Sequence, residues 1–392
     1  MSAPQTPRRA LQALAKEHGV KANMTSAAIL AELDALHVDV SAGGSRSSST
    51  TMSSADHPCT VLNTLAIEQS ERYREKGFGL IVSALIWASF FYGVPQLVRK
   101  VWPWVLSLGD EFTLYWVGTA VVNIGIFAFI NTIMLFIYTS KVEFFERYRI
   151  QRNKPWQWDS PNPRTVARWK ELRTKALLML AFNNFIMGPM LGYFGWDHAH
   201  AAGMSFALDA FPEWHTVTLQ IFLFMLIDDT MFYWGHRLLH WKPLYPYIHK
   251  VHHSFYQPVG IASLYSHPIE ILVTNMVPFM AGPFLVGAHV ATLWIWLVLR
   301  IAETCDGHSG YEFSWSPYRL LPFSGSAAHH DFHHSHNKGN FGSFFTVWDK
   351  LCSTDRWYEA YVEEGRHSPA PDHFFVAWIK RAVGYGGKAK AL

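Results

Sequence analysis

Along the chain, stretches in which apolar residues occupy nearly every position alternate with polar, basic or histidine-rich connectors. Five stretches reach the ~20 residues an α-helix needs to cross a bilayer: 77–98, 112–138, 176–195, 215–235 and 271–300. They lack the polar face that a surface helix of a soluble protein keeps. The pattern therefore predicts membrane-spanning helices rather than a soluble aromatic core. The last stretch, with Pro278 and Pro283 inside it, is long enough for a broken or re-entrant hairpin. The expected fold class is all-α, an integral membrane helical bundle.

Ahead of the first stretch, residues 1–40 read as a small helical module, with Leu11, Leu14 and Ala15 in one stretch and Gly19 as its stop. Thr25 or Ser26 caps a second stretch containing Ile29, Leu30 and Leu33. Residues 41–76 form a linker and pre-membrane segment, and SAGGSRSSSTTMSS at 41–54 is flexible by composition. The membrane region is expected over 77–300, a cytosolic catalytic segment over 301–362 and a tail over 363–392.

Composition supports the membrane reading. Half of the residues are hydrophobic, and many of the 17 tryptophans and 16 tyrosines lie near the ends of the apolar stretches, as in interfacial aromatic belts. A net charge of +3, with no Lys/Arg run interleaved with stacking aromatics, argues against a nucleic-acid partner. Charge placement instead reports topology. Lys141, Arg147, Arg149, Arg152, Lys154, Arg164, Arg168, Lys170, Arg173 and Lys175 crowd between the second and third stretches, which places that connector in the cytosol. Arg72, Arg74 and Lys76, the segment beginning at His236, and both termini then face the same side. Arg99 and Lys100 fall on the opposite side, where long stems can snorkel. Three cysteines, Cys59, Cys305 and Cys352, are too few and too scattered for a disulfide framework and fit a reducing compartment.

The chemistry lies in the histidines. Of 21, five fall between His236 and His253 and five more between His329 and His336. In HRLLH, His236 and His240 stand four apart and share one helical face. In HKVHH, His252 and His253 follow His249 by three and four residues, so all three can converge. In HHDFHH, His330, His333 and His334 repeat that spacing, with His329 just before them. Imidazole suits iron, copper, nickel or zinc, and eight or more ligands exceed what one ion uses, so two metals are expected. A structural zinc site would favour cysteine, and the clusters contain none. Acids near the boxes, Asp229 two turns before His236, Asp331 inside the third box and Asp306 beside His308, suit orientation of ligands rather than ligation.

These boxes, HX3H, HX2HH and a final HX2HH in a multi-span chain, resemble the fatty acid hydroxylase and sterol desaturase superfamily. Residues 215–362 look most like the C-4 methylsterol oxidases, through LYSHPIE at 264–270, LWIWLVLRIAET at 293–304, DGHSGYEFSW at 306–315 and GNFGSFFTVWDKLCSTD at 339–355. Sterol 25-hydroxylases and sterol C-5 desaturases are the alternatives within the superfamily. The long N-terminal extension, Cys305 and Gly307 depart from the C-4 oxidase pattern.

The resemblance implies a histidine-rich di-metal cap on the cytosolic face, with ligation by His236, His240, His249, His252, His253, His330, His333 and His334. It extends the set to His308 and His329, makes His267 a further candidate, and offers Glu312 as a carboxylate partner. For His267 and Glu270, a structural and a catalytic role both stay open. It also implies two iron ions, O2 as co-substrate, and electrons from NAD(P)H through cytochrome b5 and its reductase. The substrate would be a sterol precursor oxidised at its C-4 methyl group, and downstream C-4 demethylation enzymes would be partners in the endoplasmic reticulum membrane. Lys388 and Lys390 resemble a dilysine retrieval signal for that compartment. Residues 1–38 faintly resemble the helix-extension-helix of SAP domains, although a cytosolic appendage is the plainer reading. A metal transporter would spread its histidines along a pathway, and a bis-histidine haem protein would leave most of them unused.

Overall fold

A computed structural model of the chain describes residues 77–364. The N-terminal module, the linker and the tail carrying Lys388 and Lys390 lie outside the described residues. Among those described, the architecture is helical, with two isolated β-bridges and no extended strand. Five helices are long and apolar enough to cross a membrane: α1 Gly77–Leu106, α2 Glu111–Ser140, α3 Pro163–Ala201, α4 Trp214–Leu239 and α5 Pro268–Leu285. They are followed by α6 Val290–Gly307, α7 Ala327–His336 and the short α8 Val347–Leu351.

The helices outrun the apolar stretches because a helix ends at a cap, not where its side chains turn polar. Asn162 accepts from the Arg164 amide and Pro163 stands at the first helical position, so α3 starts well before residue 176. The basic residues 164–175 are thus its first turns rather than a loop. α4 continues past residue 235, which puts His236 in its last turn and His240 at its C-cap.

The fifth stretch does divide into two antiparallel helices, but not at its prolines. Pro278 and Pro283 lie inside α5. The chain turns at 286–289, where Gly287 has φ +56° and a Cβ would stand 2.6 Å from the carbonyl oxygen of Ala202. Three of the prolines within the spans are accommodated by π-helical turns that precede them. Pro95, Pro189 and Pro278 each follow one, over Ser89–Gly93, Asn183–Met187 and Ile271–Met276. In each case the carbonyl four residues back, which the ring would strike, belongs to Phe91, Phe185 or Thr274 inside the π turn.

α6 is the central helix. Its buried residues, from Val290 through Trp296 to Cys305, surround the whole circumference. Trp296 stacks between Phe279 of α5 and Phe344 of the 339–346 loop, and α6 packs on α2 while α4 packs on α5. The outer helices expose Leu85, Leu97, Val121, Phe129, Leu178 and Phe194, which suits a lipid surround. Arg99, on the side opposite the basic connector, is neutralised by Glu213 at 2.6 Å.

The end of α4, the start of α5 and the end of α6 meet at one end of the bundle. The connector between α2 and α3 arrives there too: the Ile150 amide donates to the Gly310 carbonyl at 3.0 Å, and Gln151 Nε2 donates to Asp331 at 2.9 Å. The basic connector and the histidines therefore occupy the same end.

Candidate metal centre

Nine histidines converge there in two groups. His236, His240, His249, His253 and His333 form the first, and His252, His308, His330 and His334 the second; within each, the candidate ligand nitrogens lie within 4.8 Å of one another. The boxes are divided between the centres. Each HX2HH box places its pair four residues apart, His249 with His253 and His330 with His334, on one centre, and sends the histidine between them, His252 or His333, to the other. Full convergence of an HX2HH box on one point therefore does not occur, whereas HRLLH places His236 and His240 on the same centre. Adjacent residues on a helix diverge by about 100°, so neighbouring histidines cannot share an ion.

Main-chain carbonyls fix the rings. His236 Nδ1 donates to Phe341 O at 2.9 Å, His308 Nδ1 to Thr304 O at 2.7 Å, His334 Nδ1 to Phe255 O at 3.0 Å and His252 Nδ1 to Tyr265 O at 3.2 Å. His333 Nδ1 donates to Gly339 O in the same way. A carbonyl oxygen can only accept, so these rings carry their proton on Nδ1 and turn the Nε2 lone pair inward.

The inward nitrogens are close. His236 Nε2 is 3.0 Å from His249 Nε2, which is 3.1 Å from His253 Nε2. His308 Nε2 stands 3.2 Å from His252 Nε2 and 3.0 Å from His330 Nε2. In the His308–His252 pair both nitrogens present lone pairs, a repulsive arrangement unless a cation lies between them. Ligands about 2.1 Å from a metal and 90° apart would be separated by about 3.0 Å, so the spacing fits imidazoles around an ion.

Electrostatics agree. Burial, then the repulsion of neighbouring imidazoles, holds His240 down to about 2, and His249, His253, His308, His330, His333 and His334 fall well below the usual histidine range for the same leading reason. Burial takes His252 to about 4 against the opposing pull of its carbonyl partner. Neutral imidazoles are the ligand form. The donor set thus fits two borderline transition ions.

A family model for fatty acid hydroxylases matches residues 221–354, which contain all nine histidines. The chain is 33% identical over 264 residues to a very-long-chain aldehyde decarbonylase of Oryza sativa subsp. indica, covering 67% of this chain and 92% of that protein. It is 34% identical to methylsterol monooxygenase 1 of Rattus norvegicus, covering 68% and 86%, and 34% identical to methylsterol monooxygenase 2-2 of Arabidopsis thaliana, covering 67% and 94%. This chain belongs to the fatty acid hydroxylase family. No solved structure matches it.

In this family member the remaining candidates sit around the two groups rather than in them. His329 joins neither; its ring packs on Tyr358 at 5.3 Å and its carbonyl accepts from Asn340 Nδ2. It faces away because it precedes His330 by one position on α7. His267 caps α5 through the Ile269 amide. Glu312 stands at the start of α7, where it accepts from the Ala328 amide at 2.7 Å and pairs with Arg319; it orients the third box as a helix cap. Asp331 holds Gln151, and burial pushes its carboxyl up to about 7. Asp306 accepts from Ser316, not from His308.

Asp229 stands at one remove from a candidate ligand. Its Oδ1 accepts from the Ser343 and Phe345 amides at 3.2 and 3.0 Å, and so holds the loop whose Phe341 carbonyl orients His236. Asp349, which the sequence reading did not single out, caps that loop through the Phe341 and Gly342 amides at 2.9 and 2.8 Å. The carbonyl anchors were also missed. Every residue has a carbonyl, so composition carries no signal for them.

Proposed function

We propose that the protein is a membrane di-iron monooxygenase that oxidises the C-4 methyl group of sterol precursors. The observation that carries this reading is the pair of neutral imidazole groups whose lone pairs face one another, in a chain one third identical to methylsterol monooxygenases over two thirds of its length. Two irons held by His236, His240, His249, His253 and His333 and by His252, His308, His330 and His334 would activate dioxygen toward an unreactive C–H bond.

The chain's own residues do the rest. The carbonyl contacts hold the rings, Asp229 and Asp349 hold the loop that supplies two of those carbonyls, and burial of both groups keeps bulk water out. A sterol enters laterally from the bilayer, which spares it passage through water. Each oxidation consumes one O2, two electrons and two protons; the first and third leave one oxygen atom in the substrate and the other in water, whereas in the second the hydrated aldehyde loses water, so that two waters are released per O2. Alcohol, aldehyde and carboxylic acid follow in turn. No Gly-rich dinucleotide fingerprint is found in the sequence, so the electrons come from NAD(P)H through a reductase and cytochrome b5. The setting is the endoplasmic reticulum membrane, with the histidine end in the cytosol.

The aldehyde decarbonylase relative, at the same level of identity, favours a second reading in which a long-chain aldehyde loses its carbonyl carbon. Sterol and hydrocarbon analysis of cells lacking the protein separates the readings. Accumulated 4-methyl sterols are expected. Normal C-4 demethylation with missing alkanes favours the decarbonylase, and a missing side-chain hydroxyl or ring double bond favours the 25-hydroxylase or C-5 desaturase alternative. Purified protein should hold about two irons per chain and show no Soret band.

A further inference from the structure

Of the nine histidines, one faces an acid. His249 is the hub of the first group, its Nε2 within 3.0 and 3.1 Å of those of His236 and His253. Its Nδ1 lies 2.9 Å from Glu270 Oε1, at ion-pair distance though not aligned as a hydrogen bond. Glu270 belongs to the SHPIE phrase, stands in the first turn of α5 and is 3% exposed. Ser266 donates to its Oε1 at 3.2 Å, and its Oε2 has no partner. No lysine or arginine pairs with it; the described ion pairs give it His249 alone. A buried carboxylate without a basic partner is costly. The cation that would balance it here is one bound by the first group, on the far side of the His249 imidazole.

We infer that Glu270 is a positioning residue that makes the first group the tighter of the two metal sites. Its negative charge, passed through the His249 ring, raises the basicity of the Nε2 that faces the ion. The second group has carbonyl and hydroxyl partners only: Tyr265 O and Ser266 Oγ at His252, Thr304 O at His308, Phe255 O at His334. It also has four imidazoles instead of five. The two metals therefore differ in affinity. The first is held firmly, and the second is surrendered more readily.

This inference rests on the reading of the histidine groups as metal sites, and the test keeps the two apart. Full-length protein, purified with iron, is challenged with increasing chelator, and metal per chain is counted. Wild type is expected to lose its metals in two steps. Glu270→Gln keeps the shape and removes the charge, so the more resistant step should move by about 10–100-fold in chelator concentration while the weaker one stays. In a His308→Ala background, which disables the second group, one resistant metal should remain, and adding Glu270→Gln should release it. Thermal unfolding gives a second readout of opposite sign. Without metal, Glu270→Gln should melt at the same temperature as wild type or higher, since a buried carboxyl with no basic partner is gone; with metal it should melt lower. A merely structural glutamate would shift both melts the same way.

Wild type without chelatable metal would overturn the metal reading itself. Wild type with two metals and an unaltered chelator profile for Glu270→Gln would overturn only the role given to Glu270. Should that variant not fold, Glu270→Ala removes the charge without leaving an amide, and an unchanged resistant step there would equally overturn it.

Discussion

At the scale of single residues, what distinguishes this site is that five of its nine candidate ligands are oriented by the proton on the far side of the ring. His308 illustrates the point. Thr304 O holds its Nδ1 proton, and its Nε2 faces both His252 and His330. It lies outside the three boxes, in HSGY, and came into the expected set only through family resemblance. Replacing it with alanine removes one of four donors. The expected outcome is loss of about one of two metals, read as iron per chain, with activity lost in parallel. His329→Ala, by contrast, should leave metal content unchanged, because its ring lies against Tyr358.

At the scale of elements, α4 and α6 are joined by a buried charge network. Arg300 reaches Asp228 at 3.1 Å and Glu303 at 2.6 Å, with Phe232 and Phe344 flanking its guanidinium. Arg300→Leu strands two buried carboxylates and should cost about 3–5 kcal/mol, measured by thermal or denaturant unfolding in detergent. The 339–346 loop depends on backbone conformation instead. Gly339 has φ +56°, and a Cβ there would collide with the Thr354 carbonyl. Gly339→Ala should therefore displace the carbonyl that orients His333, at a conformational cost of about 1–2 kcal/mol before the collision is counted. Reduced metal content in a protein that still folds is the expected result. Both elements lie in phrases quoted for their resemblance, LWIWLVLRIAET and GNFGSFFTVWDKLCSTD, yet neither Arg300 nor Gly339 carries a metal-binding signature. Their roles exist only once α4, α6 and the loop are in contact.

At the scale of the whole molecule, the cap concentrates imidazoles that burial keeps neutral. Eight of them outside the spanning helices, His240, His249, His252, His253, His308, His330, His333 and His334, are held below their ordinary value. In the unfolded chain each takes up a proton near pH 6.5. The unfolded state then binds more protons than the folded one, so stability falls as pH drops below about 6.5. Each histidine contributes a slope of about 1.4 kcal/mol per pH unit between its unfolded and folded values. Metal-free protein should melt progressively lower from pH 7 to pH 5. Bound metal should protect, since protons and metal compete for the same nitrogens.

The amino-acid order by itself determined that the chain is helical and apolar enough to span a membrane, because an unbroken apolar run of sufficient length has few other stable solutions. It also brought the histidines of each box into one neighbourhood, since residues three and four apart share a helical face, without telling which of the three in each HX2HH box stand together. Only the tertiary structure decided where the fifth stretch turns, which centre each histidine serves, and what holds each ring in place. Most of those outcomes depend on segments distant in the chain: the Ala202 carbonyl against Gly287, Phe255 against His334, Phe341 against His236 and Asp229 against Phe345. The groups that meet there are mostly main-chain amides and carbonyls. They are the same at every position, so only their placement in space, and not their identity in the chain, could make them part of the site.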